Sequence, residues 1–208
     1  LDDFSNDNSE IKIKKFINKK LGNKIIFKYI KSKLNLGKST LVFNQIKNLN
    51  KNDIIFLTDG DVELPSSNVK YFLKKFFSKD VDLVCGTRKM NANNQSIFDY
   101  IFYLLGIKLT NFLVNFGYKN KVNDIHCGQK IFKFQNFSNF FCFRFSIDTE
   151  LCLYFLKKKK KIYNISLNNY KRRGFKEGKK LKFTNGVFLI FQTIFLKLYY
   201  IFNINEKK

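Results

Sequence analysis

The sequence is sparing with several residue types, and each scarcity excludes something. A single proline and ten glycines in 208 residues rule out collagen-like and Pro/Gly low-complexity chains. The four cysteines, Cys85, Cys127, Cys142 and Cys152, form no C-x-x-C pair. No zinc site is implied, and the thiols read as reduced, as expected of a cytoplasmic protein. Acids are few: 16 Asp+Glu face 39 Lys+Arg, a formal net charge of +23. Arginine is scarcer still, confined to Arg88, Arg144, Arg172 and Arg173. Lysine here accompanies Asn, Ile, Phe and Tyr, residues with A/T-rich codons, so composition accounts for much of the excess. Base readout leans on Arg, Asn and Gln along one helix, and no such helix is visible; no nucleic-acid partner is expected. A basic surface still suits phosphates and acidic lipid headgroups. Lastly, no clean apolar run reaches the roughly 20 residues that spanning a bilayer requires. The stretch from Val187 to Phe202 is interrupted by Gln192, Thr193 and Lys197. It suits a helix in the membrane interface or packed on the domain.

What is present supports a folded chain. Hydrophobic residues make up 45% and aromatics 17%, enough for the buried core of one α/β domain and too much for disorder. Asn23 to Ile30 alternates as a strand, and Ser39 to Asn50 has helical apolar spacing. Asp53 to Thr58 is a short apolar run, the mark of a strand buried on both faces. Pro65-Ser66-Ser67 predicts a helix through Phe77, with Ser66 or Ser67 as its cap. Val81 to Cys85 is a second buried strand, ending at Gly86. Ile97 to Phe116 reads as a helix, and Lys130 to Phe134 and Lys161 to Leu167 as strands flanking a helix that opens near Asp148. This alternation predicts a mostly parallel sheet covered by helices. It places Asp59-Gly60-Asp61 and Gly86-Thr87-Arg88 at the carboxyl ends of neighbouring strands, where open α/β sheets bind ligands.

In so acid-poor a chain, the clusters Asp2-Asp3, Asp59-Gly60-Asp61 with Glu63, and Asp148-x-Glu150 are informative. Alternate residues of an extended segment can bring Asp59, Asp61 and then Glu63 to one hard cation, Mg2+ or Mn2+, bridging to a diphosphate. A turn rich in Asp and Gly is the plainer alternative. Asp2 and Asp3 read either as a polar turn or as acceptors for a nucleobase or ribose. Asn35-Leu36-Gly37-Lys38-Ser39 places a Gly and a Lys before a helix N-terminus, which suits phosphate. Asp148 either caps its helix or serves a site. His126, the single histidine, reads as a packed or exposed residue rather than a base.

Together these segments resemble glycosyltransferase family 2. Asp2-Asp3-Phe4-Ser5-Asn6-Asp7, Asn35-Leu36-Gly37-Lys38 and Asp59-Gly60-Asp61 are similar to that family's DD-x-S-x-D, N-x-G-K and D-x-D, in that order. Cys85-Gly86-Thr87-Arg88 resembles its G-S-R. Asp124 to Phe132 resembles D-x-x-x-G/C-x-K/R-x-F, and Phe145 to Glu150 resembles F-x-x-D/E-x-E. Tyr170 to Leu181 is similar to Y-x-x-R-x-x-x-E-G-K-K-I, a signature of the polyprenyl-phosphate branch that includes dolichol-phosphate mannosyltransferase.

The resemblance implies a GT-A fold, Rossmann-like, and inverting transfer of a hexose from a nucleotide-diphosphate sugar to a polyprenyl phosphate. The alternatives are extension of a cell-surface glycan, or a basic surface-binding module without catalysis. Carried over by position, Asp2 and Asp3 would contact the nucleotide, and Lys38 its phosphates. Asp59, Asp61 and Glu63, with Gly60 between, would hold the metal. Arg88 would face the acceptor phosphate, and Asp124 would line the sugar pocket. Arg173 and Lys179 would close over the phosphates. The chain begins at Leu1, directly before Asp2-Asp3, and is expected to start inside the domain, lacking the first strand–helix unit. The resemblance assigns 1–183 to the catalytic domain and 184–208 to an apolar C-terminal helix. The expected setting is the cytoplasmic face of an anionic inner membrane. Near Tyr103 and Ile107, where the mannosyltransferases carry an Arg and a Ser, this chain has neither, and Lys108 is the nearest cation.

Overall fold

In the computed structural model, residues 1–19, 26–61, 63–89, 97–135, 137, 140–168 and 183–202 are described. Four strands form one sheet: β1 (Ile54–Leu57), β2 (Leu83–Arg88), β3 (Lys130–Lys133) and β4 (Ile162–Leu167), in the order β1-β3-β2-β4. Six helices accompany them: α1 (Ser9–Lys19), α2 (Lys38–Ile46), α3 (Asn68–Lys79), α4 (Ile97–Asn115), α5 (Ile147–Lys157) and α6 (Phe183–Phe202).

The sheet departs from the parallel expectation in a definite way. β3 runs antiparallel to both β1 and β2, and only β2 and β4 pair in parallel. β1, β2 and β4 therefore point the same way, with reversed β3 wedged between the first two. The carboxyl ends of β1 and β2 share one edge of the sheet, as the sequence predicts, but they are separated by the width of a strand.

Side-chain alternation along the strands divides the core into two layers. Leu83 and Cys85 of β2 and Phe132 of β3 face α2, α4, α5 and α6, meeting Val42, Val114, Leu151 and Leu196. Val84 and Ile131 face the other way, onto Phe72 and Phe76 of α3 and Ile165 and Leu167 of β4. Helices thus cover both faces. β2, paired on both sides, is the buried strand. β1 pairs with β3 alone among the described strands, and Ile54 is 42% exposed. The expectation of burial on both faces fails for β1, because a short apolar run does not say how many neighbours a strand has.

Local details differ as well. β2 does not end at Gly86 but continues to Arg88. A Cβ at Gly86 would lie 2.6 Å from Leu167 Cδ1 and 2.7 Å from Cys127 Sγ, so this glycine permits close packing rather than a turn. The strand expected from Asn23 is absent over 26–30; Lys31 instead makes an isolated parallel bridge to Asp2. Ile26 is 98% exposed, so the alternation there has no core to face. Ser67 occupies the N-cap position of α3 with helical φ and ψ, and no side-chain capping bond accompanies it.

α6 packs on α4 and α5 through Leu196 and Tyr200, while Phe188, Phe191, Phe195 and Leu198 remain exposed. Among the described residues, no helix is long and apolar enough to cross a membrane.

Candidate functional site

The shared edge of β1 and β2 opens into a shallow cleft lined by Thr58, Asp59, Asp61, Glu63, Leu64, Arg88, Gly128 and Gln129. The acids that follow β1 and the guanidinium that ends β2 therefore face one space. The wall between them is the segment 124–129 that leads into β3, which explains the wedged strand: β3 carries its preceding loop into the gap between two strand ends.

Arg88 is held rigidly. Its Nε donates to Asp124 Oδ2 at 2.7 Å and its Nη2 to Asp124 Oδ1 at 2.8 Å, a bidentate pair reinforced by the Arg88 backbone N–H. Asp124 is buried. Burial raises its pKa, but the charge and hydrogen bonds of Arg88 outweigh that and hold the carboxyl below its usual range. Asp124 thus belongs to the machinery that aims Arg88.

Lys38, the first residue of α2, lies 2.7 Å from Asp59 Oδ1 and 2.8 Å from Asp148 Oδ2. Asp148 Oδ1 is in turn 2.6 Å from Nζ of Lys130, which is wholly buried. Burial opposes the charge on Asp148, but the two lysines overcome it and keep the carboxylate ionised. The helix-cap alternative for Asp148 is excluded: Ser146 takes the N-cap position of α5, and Asp148 lies in its first turn. Glu150 accepts hydrogen bonds from the backbone N–H groups of Phe141 and Cys142 and from the Ser146 hydroxyl, tying a loop to α5.

Asp3 and Asp2 hold local structure near the cleft. Asp3 accepts the Leu36 N–H at 2.7 Å and the Gly37 N–H at 2.9 Å, so it braces the turn that presents Lys38. Gly37 needs its positive φ of 83°, and its Cα hydrogens pack where a Cβ would meet Arg144 Cγ at 2.7 Å. Asp2, buried, accepts the Ser5 N–H and the Tyr29 hydroxyl.

Asp59, Asp61 and Glu63 line the same cleft, but among the described residues no three His, Cys, Asp or Glu side chains are grouped to hold a metal. Asp61 Oδ1 accepts the Glu63 N–H, and Asp59 Oδ1 is engaged by Lys38. The donor chemistry still fits Mg2+ or Mn2+, which is commonly bound through one or two carboxylates with phosphate oxygens completing the shell. Asp59 and Asp61 both line the cleft and would supply those carboxylates.

The sequence reading overlooks two parts of this site. Gln129 lies in the cleft wall, its Nε2 donating to Pro65 O at 3.1 Å and its Oε1 accepting from Asn68 at 2.8 Å. The other is the pairing of buried Lys130 with Asp148; a lysine in the apolar strand Lys130-Ile131-Phe132 and an aspartate in an apolar helix are its signal. His126 Nε2 is buried without a hydrogen-bond partner, and burial pushes its pKa down to about 4, so the ring is neutral at physiological pH. Arg173 and Lys179 lie outside the described residues. The chain matches no curated protein. Its first two thirds, residues 1–141, match the model of Glycosyl transferase family 2, and the chain, with the cleft at the strand edge built almost entirely from that stretch, belongs to this family.

Proposed function

We propose that the chain transfers a hexose from a nucleotide-diphosphate sugar to a polyprenyl phosphate with inversion at the anomeric carbon. One observation carries the reading: two carboxylates and a bidentately held arginine face a single cleft at the strand edge of a family 2 domain. A phosphate acceptor is already ionised near neutral pH, its second pKa being about 6. It needs no strong general base, and neutral, buried His126 is not required as one. Catalysis reduces to alignment and to stabilisation of the departing diphosphate.

In this reading Asp59 and Asp61, with Glu63 beside them, hold Mg2+ or Mn2+, which supplies positive charge to the leaving diphosphate. Lys38, braced through the Asp3-supported turn, meets the same phosphates. Arg88, aimed by Asp124, meets the acceptor phosphate from the opposite wall. Asp2 and Asp3 line the nucleotide end, and Arg173 and Lys179 close over the phosphates. Residues 1–183 form the catalytic domain. The outward faces of α4 (Leu105, Leu109 and Phe112, with Phe116 just after it) and α6 (Phe188, Phe191 and Phe195) are exposed and apolar. With the net charge of +23, they support docking on the cytoplasmic face of an anionic membrane.

The test is transfer of labelled hexose from nucleotide sugars to undecaprenyl phosphate with Mn2+, followed by organic extraction and NMR of the anomeric proton. We expect lipid-linked product of inverted configuration, with kcat/KM falling about 100-fold or more in Asp61→Asn. Label that enters a soluble glycan instead, or transfer indifferent to Asp61, overturns the proposal.

A further inference from the structure

Lys130, Asp148, Lys38 and Asp59 form a chain of alternating charge that runs from the protein interior to the cleft. Its inner end is immobile. The three ammonium protons of Lys130 match three acceptors: Asp148 Oδ1 at 2.6 Å, Ile125 O at 3.0 Å and Cys127 O at 2.5 Å. Asp148 is fixed by that lysine on one oxygen and offers Lys38 the other. The outer end is different. The side chain of Asp59 is 40% exposed and that of Lys38 is 25% exposed, against 8% and 0% for Asp148 and Lys130. Only the Lys38–Asp59 contact can open without uncovering a buried charge. Lys130, Asp148 and Lys38 alone carry one surplus positive charge, and Asp59 neutralises it.

We propose that Lys38 is a built-in counter-ion that occupies Asp59 until a diphosphate arrives, so that metal and diphosphate load together. The inference rests on the reading that Asp59 and Asp61 hold the metal. A divalent cation arriving alone must compete with Lys38 for Asp59 and then sit beside its ammonium group. A diphosphate offers Lys38 an alternative anion and frees the Asp59 oxygen for the cation. Asp148 and Lys130 are positioning residues in this scheme: they keep Lys38 tethered through the exchange. The coupling is reciprocal, so the diphosphate also binds more tightly once the cation is present.

The probes are Mn2+ and inorganic pyrophosphate, with protein-bound Mn2+ read by water-proton relaxation enhancement on the full chain. Wild type should bind Mn2+ weakly alone and markedly more tightly with pyrophosphate. Lys38→Met should bind Mn2+ alone about tenfold more tightly, and the gain from pyrophosphate should shrink by a similar factor. Lys38→Gln should behave alike, which keeps the test alive if the methionine variant is unstable. Asp148→Asn should move Mn2+ affinity the other way, because Lys38 then neutralises Asp59 alone. Lys89→Met, which removes the same charge from an exposed residue next to Arg88, should change it less than twofold. Unchanged or weaker Mn2+ binding in both Lys38 variants, with Asp61→Asn still abolishing it, overturns the counter-ion role and leaves the metal reading standing. Mn2+ binding indifferent to Asp61→Asn overturns both.

Discussion

Gly128→Ala is the smallest change that should separate function from stability. A Cβ built on Gly128 would lie 2.0 Å from Asp59 Oδ2 and 2.5 Å from its Cγ. The backbone of Gly128 has no positive φ, so alanine meets no strain there, and the collision is wholly with the carboxylate. Asp59 must retreat by about 1.4 Å to restore an ordinary contact of 3.4 Å. It can do so by swinging toward solvent, since its side chain is 40% exposed. What it gives up is the 2.7 Å contact with Lys38, a partly solvated pair that contributes no more than about 1 kcal/mol. Stability should therefore fall by less than about 1 kcal/mol. Activity should respond far more, because a misplacement of about 1 Å at a reacting site can lower the rate roughly 100-fold, or about 2.7 kcal/mol of barrier. The assay pairs urea unfolding with kcat/KM for hexose transfer. A variant that retains activity within about twofold of wild type would refute the placement of Asp59 in the reaction. A variant that unfolds would refute the claim that the carboxylate can yield.

Arg88→Ala should behave oppositely, losing stability as well as activity, because it strands buried Asp124 without its counter-charge. Such losses run to about 3–5 kcal/mol; urea unfolding should show most of it, and the double variant Arg88→Ala with Asp124→Asn should recover part. A single variant within about 1 kcal/mol of wild type would contradict the pairing. His126 sets a pH dependence. Its folded pKa, about 4, lies below the ordinary 6.5, so its stabilising effect is complete above pH 6.5 and is lost as pH falls toward 4. At about 1.4 kcal/mol per pKa unit, the loss is bounded near 3 kcal/mol. Asp124, Asp148, Arg88 and Lys130 surround it and Glu150 titrates with the opposite sign, so the measurement is the difference between wild type and His126→Asn at pH 7 and pH 5. Parallel curves for the two proteins would exclude His126 as the source.

Local order was readable wherever one neighbour decides it. The apolar spacing of Leu41, Val42 and Ile46 gives α2, and the run from Val81 gives β2, because burial against a single core fixes both. Pairing partners were not readable. Nothing in Lys130-Ile131-Phe132 says that it inserts between two strands and reverses the sheet, since alternation reports a face and not a neighbour. The site divides in the same way. Asp59, Asp61 and Arg88 were found because strand ends collect ligand-binding residues. Asp148 stands out in the sequence as part of an acid cluster, but its pairing with Lys130 does not, because that contact joins residues 18 apart, and a buried ion pair appears in sequence only as two misplaced charges. Asp3 also braces the turn before α2, a role that nothing in the sequence around it announces.

The wedge position of β3 has a consequence for synthesis of the chain. β1 and β2 do not touch edge to edge; both are zipped to β3, which lies between them. As the polypeptide leaves the ribosome, residues 54–88 can form helices and isolated extended segments, but the two strand ends have nothing to register them until residue 133 has emerged. The cleft edge is thus assembled in one late step, when a single four-residue hyphen closes both seams and draws the cleft wall in behind it.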